Sequence, residues 1–302
     1  MNTTVRTGIL WALATALVSG VSVYVNKFGV AQVQDPFVYT TVKNSLVAVG
    51  FLAAVGLLLD RNQLRQMTSR QWLGWLGLGV IGGGIPFLLF FQGLSMASAP
   101  SAALIHKTLF LWVALLAVPM LKERLGWWQI AALGVLAVGV VLLQPPAAWG
   151  WGRGETLILI ATLLWAVETI VAKKVLADIP ARTAALGRMG VGVLIMWLFL
   201  AFTGRAGTAL ALTGTQWFWV AVTAVFLLAY VWTWYSALQT APATLVTSVL
   251  TLGAVVTILI TILLEGRSTT PLQVVAMVLM LVGAAVFALR TPRRRMLAAE
   301  AG

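Results

Sequence analysis

TLVTSVLTLGAVVTILITILL, residues Thr244 to Leu264, carries no charged side chain from end to end, and Glu265 and Arg267 follow at once. A helix of about 20 residues crosses a hydrocarbon core of about 30 Å. Only helices or closed barrels satisfy their backbone in lipid, and an unbroken apolar run of this length excludes the alternating pattern of a barrel strand. Nine further windows of the same kind flank it. They run Thr7 to Val30, Phe37 to Leu59, Trp72 to Leu94, Ser101 to Pro119, Trp127 to Leu143, Thr156 to Leu176, Thr183 to Phe202, Gln216 to Leu238 and Leu272 to Leu289. The expected fold is an all-α integral membrane bundle of ten transmembrane helices.

Composition agrees. Hydrophobic residues make up 61% of the chain and charged residues 9%, where soluble domains carry about 25%, and mean hydropathy is +0.97. The formal charge of +12 punctuates apolar runs instead of striping a polar surface, which argues against a nucleic-acid partner and for the lipid bilayer. No cysteine is present, so disulfides, thiolate nucleophiles and zinc-thiolate sites are excluded. Met1 to Arg6 leads straight into the first apolar run without a small-residue cleavage site, so that run is read as a true span.

Lys and Arg collect on one side of the spans: Arg6, Arg61, Arg65, Arg70, Lys122, Arg124, Lys173, Lys174, Arg182, Arg290, Arg293, Arg294 and Arg295. The other side holds Arg153, Arg205 and Arg267. The positive-inside rule then puts both termini in the cytoplasm of a multi-pass inner (plasma) membrane protein.

The second half also repeats the first. Ala99-Pro100 matches Ala241-Pro242, the same offset lays Glu123 on Glu265, and after a small length change Gln129 matches Gln273 and Gly139 matches Gly283. Lys27 matches Lys173, and Lys43 falls close to Arg188. Residues 1–150 and 151–302 therefore read as two five-helix repeats. An odd number of spans per repeat makes them inverted, an architecture in which secondary transporters hold substrate between the repeats near the midplane.

Val118-Pro119-Met120-Leu121-Lys122-Glu123-Arg124-Leu125, followed by Trp127-Trp128-Gln129-Ile130, Gly134 and Gly139, resembles the end of span four and the start of span five in the drug/metabolite transporter superfamily, in its EamA-type ten-helix exporters. Leu94 to Ile105 and Lys27 support the likeness, which covers nearly the whole chain. Lys43 stands where the family often has Arg in span two, while Arg188 keeps that residue type in the second repeat. Within the superfamily the chain is most similar to bacterial aromatic amino-acid exporters. That resemblance implies a secondary, non-ATP transporter exporting aromatic amino acids through a central cavity by alternating access. Other amino acids, amphipathic metabolites or drugs are the alternative substrates.

A charge inside a span costs at least about 2.5–3.5 kcal/mol on insertion scales and calls for an explanation. Lys43, His106 and Lys107 lie in the outer halves of spans two and four and are candidates for a substrate carboxylate. In the alternative reading Lys107 snorkels outward and His106 bonds a neighbouring helix. Lys27 and Lys173 lie close enough to span ends to snorkel. Glu168 is a candidate for a substrate ammonium or a proton, or else a structural partner of Arg188 or Lys43. Trp112, Trp165 and Tyr230 are candidates to stack on an aromatic ring, with Trp165 and Glu168 on one helix face at i, i+3. Trp72, Trp75, Trp127, Trp128, Trp149, Trp151, Trp217 and Trp219 read as interfacial belts. Gly82-Gly83-Gly84 before Pro86 marks a bend or a close helix approach.

Rival classes are constrained. His106 is the single histidine, which excludes paired-histidine metal sites, and no clustered acids suit an intramembrane enzyme. No phosphate-binding Gly-x-x-x-x-Gly-Lys-Ser/Thr loop is present, which argues against ATP-driven transport and leaves no cofactor to expect. A passive channel stays open as an alternative, protons are a further candidate partner, and no heptad pattern indicates an oligomer.

Overall fold

The computed structural model describes residues 3–58, 66–143 and 151–291, and every regular element among them is helical. Leu59, Arg61, Arg65, Trp149, Arg293, Arg294, Arg295 and the boundary between residues 150 and 151 fall wholly or partly outside the described residues. The helices are α1 (Thr3–Gln32), α2 (Pro36–Leu58), α3 (Ser69–Leu78), α4 (Ile85–Leu94), α5 (Ala99–Lys107), α6 (Leu109–Met120) and α7 (Trp127–Leu142). They continue with α8 (Arg153–Val175), α9 (Ala181–Phe202), the short α10 (Ala206–Leu210), α11 (Gly214–Thr240), α12 (Ala243–Leu250), α13 (Gly253–Glu265) and α14 (Pro271–Leu289). Among the described residues nine helical segments are long and apolar enough to cross a membrane, and α7 is a shorter apolar helix.

The outer surface is apolar where a soluble protein would be polar. On α1, Leu10, Leu13 and Leu17 form an exposed stripe, and Leu194 with Leu198 on α9 does the same. Such a surface suits contact with lipid along these long apolar helices. Trp72, Trp127, Trp128, Trp151 and Trp217, all near helix ends, are also exposed, as expected of indoles at the headgroup level.

Helix starts are fixed by reciprocal caps. Thr68 and Gln71, Thr213 and Gln216, and Thr270 and Gln273 each form a capping box, in which the Gln side chain accepts from the backbone N–H of the Thr and the Thr hydroxyl accepts from that of the Gln. At α7 the N–H of Gly126 donates to Gln129. Each box satisfies two of the donors that a helix start leaves open.

The main packing runs between the two halves of the chain. α1 lies along α11, α4 along α8, α2 along α9 and α7 along α14. Three of the apolar windows are interrupted. Gly79–Gly84 forms a π-helical turn between α3 and α4, where the N–H of Ile85 reaches back five residues to the carbonyl of Val80. α5 and α6 break at Thr108, whose hydroxyl donates to the carbonyl of Ile105 at 2.6 Å. α12 and α13 break at Thr251, whose hydroxyl donates to the carbonyl of Ser248 at 2.7 Å. The offset that lays Glu123 on Glu265 carries Thr108 onto Leu250, at the edge of the second break.

At the π turn two segments of the backbone come into close approach. A Cβ on Gly83 would strike the backbone carbonyl of Arg188, and one on Gly192 would strike the backbone of Gly83. The expected bend is therefore also a close contact between the third window and α9. Gly83→Ala should destabilise the protein by about 1–3 kcal/mol, the usual range for overpacking. Gly77→Ala, whose methyl meets open space, should hold or raise stability. Thermal unfolding of the two variants in detergent tests this; equal melting temperatures would show that the close approach is not required.

Candidate functional site

A cavity of about 250 Å³ opens within the bundle. Its lining draws on the C-terminal half of α1, α4 from Phe87 to Phe91, the end of α5, the start of α6, the middle of α8, α9 and α11, and Leu250 at the end of α12. It thus spans the middle of the bundle, from Phe91 and His106 toward the end at which α1 terminates to Arg188, Trp234 and Leu250 toward the other.

One wall is a cluster of rings. Phe90, His106 and Trp165 touch mutually, with centroids 5.3, 5.0 and 5.5 Å apart, and Phe87 meets Trp165 edge-on at 5.3 Å. Edge-to-face contacts of this kind are favourable beyond their buried area. On α11, Tyr230 and Trp234 stack with their planes at 14° and also line the cavity.

Trp165 is held by a backbone defect. Residue 86 is proline and brings no N–H to the carbonyl four residues earlier, that of Gly82. The indole N–H of Trp165 donates to this carbonyl at 3.0 Å. The glycine-proline segment thereby orients the largest ring of the cavity wall.

Charge sits deeper. Glu168, one helical turn from Trp165, is 1% exposed, and its Oε1 accepts from the Tyr235 hydroxyl at 2.5 Å. The same oxygen lies 4.0 Å from Nε of Arg188, itself 7% exposed. That is ion-pair range but not a hydrogen bond, and both Nε and Nη1 of Arg188 lack a hydrogen-bond partner. The glycines make room for the pair: a Cβ on Gly82 would meet the side chain of Glu168.

Of the seven expected site residues the structure brings four to this cavity: His106, Trp165, Glu168 and Tyr230. The other three lie elsewhere. Lys43 is buried and donates to Oδ1 of Asn26 at 3.0 Å while lying 4.7 Å from the centroid of the Tyr39 ring. Asn26 in turn donates to Ser22 of the cavity lining, so one side chain separates Lys43 from the cavity. Lys107 is half-buried in the last turn of α5, where a helix C-terminus favours a cation. Trp112 donates to the hydroxyl of Thr108 at 3.0 Å and stitches the break between α5 and α6. Arg188, a candidate in the sequence only as a charge within a span and a structural partner of Glu168, also lines the cavity, as do Phe87, Phe90 and Trp234, which lie outside the seven expected site residues. The signal of Arg188 was the cost of a guanidinium inside an apolar helix. No group of three or more metal-ligating side chains occurs among the described residues.

Away from the cavity the two ends of the bundle are fastened differently. Glu123 accepts from the N–H groups of Ala243 and Thr244, at 2.7 and 3.3 Å, and from the Thr244 hydroxyl at 2.6 Å. Its carboxylate thus closes the positive N-terminus of α12. Lys173 donates to the carbonyl of Leu238 at 2.6 Å at the same end. At the opposite end Lys27 pairs with Glu265, and Arg267 reaches Glu265 at 3.3 Å. The N-terminus of α5 is capped there by the hydroxyl of Ser98.

Apolar helices around a solute-sized central cavity with a buried ion pair define a polytopic membrane protein built to handle a small molecule. The model of the EamA-like transporter family matches residues 6–144 and again 152–289, and the chain belongs to that family. It is 23% identical over 177 residues to an uncharacterized transporter from Synechocystis sp., a match covering 53% of this chain and 51% of that protein. It is 26% identical over 133 residues to an uncharacterized transporter encoded in the cobO 3' region of Sinorhizobium sp., covering 44% of this chain and 93% of that protein. The chain thus spans about half the length of the Synechocystis relative. A crystal structure of 18% identity superposes with a TM-score of 0.78 over 96% of this chain and 99% of the other, a likeness of fold.

Removing the donor that holds Glu168 should be costly, because hydrogen bonds to charged groups contribute about 1.5–3 kcal/mol. Tyr235→Phe is expected to lower stability by about that amount, read as the melting temperature of the purified protein. An unchanged melting temperature would show that the hydroxyl does not hold the carboxylate.

Proposed function

We propose that this chain is a secondary transporter that exports aromatic amino acids by alternating access through the central cavity. The observation that carries the reading is the cavity itself: two walls of rings above a buried Glu168–Arg188 pair, within helices that otherwise exclude charge. Rings suit a flat apolar side chain, and a few convergent polar groups in an apolar pocket orient a ligand.

The chain crosses the membrane ten times, with α7 as the fifth crossing, and its halves are inverted repeats. The packing supports this. Exchanging the halves turns the pair α1 with α11 into α8 with α4, and leaves α2 with α9 and α7 with α14 as self-paired. The two broken windows correspond under the same exchange. Discontinuous helices in corresponding positions of two halves are a pointer to a transporter binding site.

With both termini cytoplasmic, as the Lys and Arg distribution implies, the Glu123 end is the cytoplasmic side, and its closing contacts make this an outward-facing state. Repeat symmetry then describes the opposite state. Glu265 leaves Lys27 for the N-terminus of α5, while Glu123 releases the N-terminus of α12 and the cytoplasmic side opens. A chain without cysteine makes this accessible: a single cysteine introduced at Ser22 is the sole thiol. Glu123→Gln weakens the closing contact, so reaction of that thiol with an impermeant maleimide from outside should slow in the variant. An unchanged rate would remove Glu123 as a latch.

Transport itself is tested with purified protein in proteoliposomes. Labelled tryptophan and phenylalanine should show saturable counterflow, threonine and a non-amino-acid metabolite should not, and imposing a pH gradient reports proton coupling. Counterflow separates a carrier from a passive channel. Flat uptake of all four solutes would withdraw the substrate assignment and leave the family membership untouched.

A further inference from the structure

The polar requirement of the cavity can be read from which of its charges is already satisfied. Glu168, the one acidic residue of the lining, has Oε1 occupied by the Tyr235 hydroxyl at 2.5 Å and faces the guanidinium of Arg188. Its negative charge is used within the protein. Arg188 is in the opposite position. It is 7% exposed and contributes to the lining, yet two of its nitrogens, Nε and Nη1, find no acceptor. Buried N–H groups without acceptors are costly, more so on a charged group. Nε is the nitrogen that lies 4.0 Å from Glu168, whereas Nη1 lies on another edge of the guanidinium and can donate to a carboxylate oxygen without displacing Glu168. Beyond Asn26 stands a second buried cation, Lys43, which has only one oxygen acceptor and an aromatic face. The field at the cavity therefore favours an anion over a second cation.

We propose that Arg188 is the carboxylate receptor of the transport site and that the substrate class is the aromatic carboxylate, with the amine of an amino acid tolerated but not required. This rests on reading the cavity as the substrate site and narrows it. The carboxylate accepts from the free Nη1 of Arg188, and Glu168, kept in place by Tyr235, remains the fixed counter-charge that positions the guanidinium. The ring lies between the Trp165–His106–Phe90 wall and the Tyr230–Trp234 stack. The expected role of Lys43, His106 and Lys107 in holding the carboxylate thereby passes to Arg188.

Three solutes with one ring system separate the polar groups: tryptophan, indole-3-propionate without the amine, and tryptamine without the carboxylate. Binding is read on purified protein as ligand-induced thermal stabilisation, and transport as competition with labelled tryptophan in proteoliposomes. Tryptophan and indole-3-propionate should act at similar concentrations, and tryptamine should be weaker by about tenfold or more, the loss expected when a charge-assisted hydrogen bond is removed. Arg188→Gln should bring the two acids down to the level of tryptamine, and Arg188→Lys should retain part of their advantage. If Arg188→Gln does not fold, the three solutes on the wild-type protein still decide. Tryptamine acting as strongly as tryptophan, or indole-3-propionate failing where tryptophan acts, would overturn the proposal while sparing the aromatic site. Failure of all three would overturn both.

Discussion

A peptide carbonyl inside a hydrocarbon layer has no water to turn to, so every departure from a regular helix must bring its own donor or open onto a cavity. The structure can be followed from that constraint. Pro86 withholds an N–H from Gly82, and Trp165 supplies one from another helix. Thr108 and Thr251 use their hydroxyls on carbonyls three residues earlier, and at the first break Trp112 donates to Thr108 in turn. At Gly82 the repair also shapes the cavity: the indole that satisfies the carbonyl is one of its walls.

The buried pair depends on the same segment. A guanidinium and a carboxylate can occupy an apolar bundle only if their desolvation is offset by close partners. The missing side chains of Gly82 and Gly83 let Glu168 and the backbone of Arg188 come against the π turn. A carboxylate fixed by Tyr235 and a guanidinium short of acceptors make an asymmetric pair, one member satisfied and the other poised. That asymmetry suits a site that binds and releases, since a fully satisfied ion pair would give a passing solute nothing to gain.

The apolar windows were legible because their length and lack of charge are set by the bilayer, which acts on every residue of a span. Helix starts were legible too but read late: Thr68-x-x-Gln71 and Thr213-x-x-Gln216 mark them, whereas the onset of hydrophobicity points to Trp72 and Gln216. The breaks at Thr108 and Thr251 carry no such mark, since threonine sits comfortably inside a helix by bonding backward to its own backbone. Within the site, Trp165 and Glu168 announced each other by their spacing. Arg188 and Lys43 look alike in sequence, each a cation in an apolar helix. What separates them is packing from distant parts of the chain, Asn26 interposed before one and Glu168 set beside the other.

The π turn at Gly79–Gly84 has one more consequence, a matter of helical phase. A turn that closes over five residues instead of four holds one extra residue, and each residue of an α-helix advances the face by about 100°. Everything downstream of the turn therefore points where it does because of that one residue. Phe87, Phe90 and Phe91 line the cavity in the present phase. Excising a single glycine would restore a regular helix and swing all three rings about a quarter to a third of the way round the axis. The aromatic wall would dissolve without the loss of any aromatic residue.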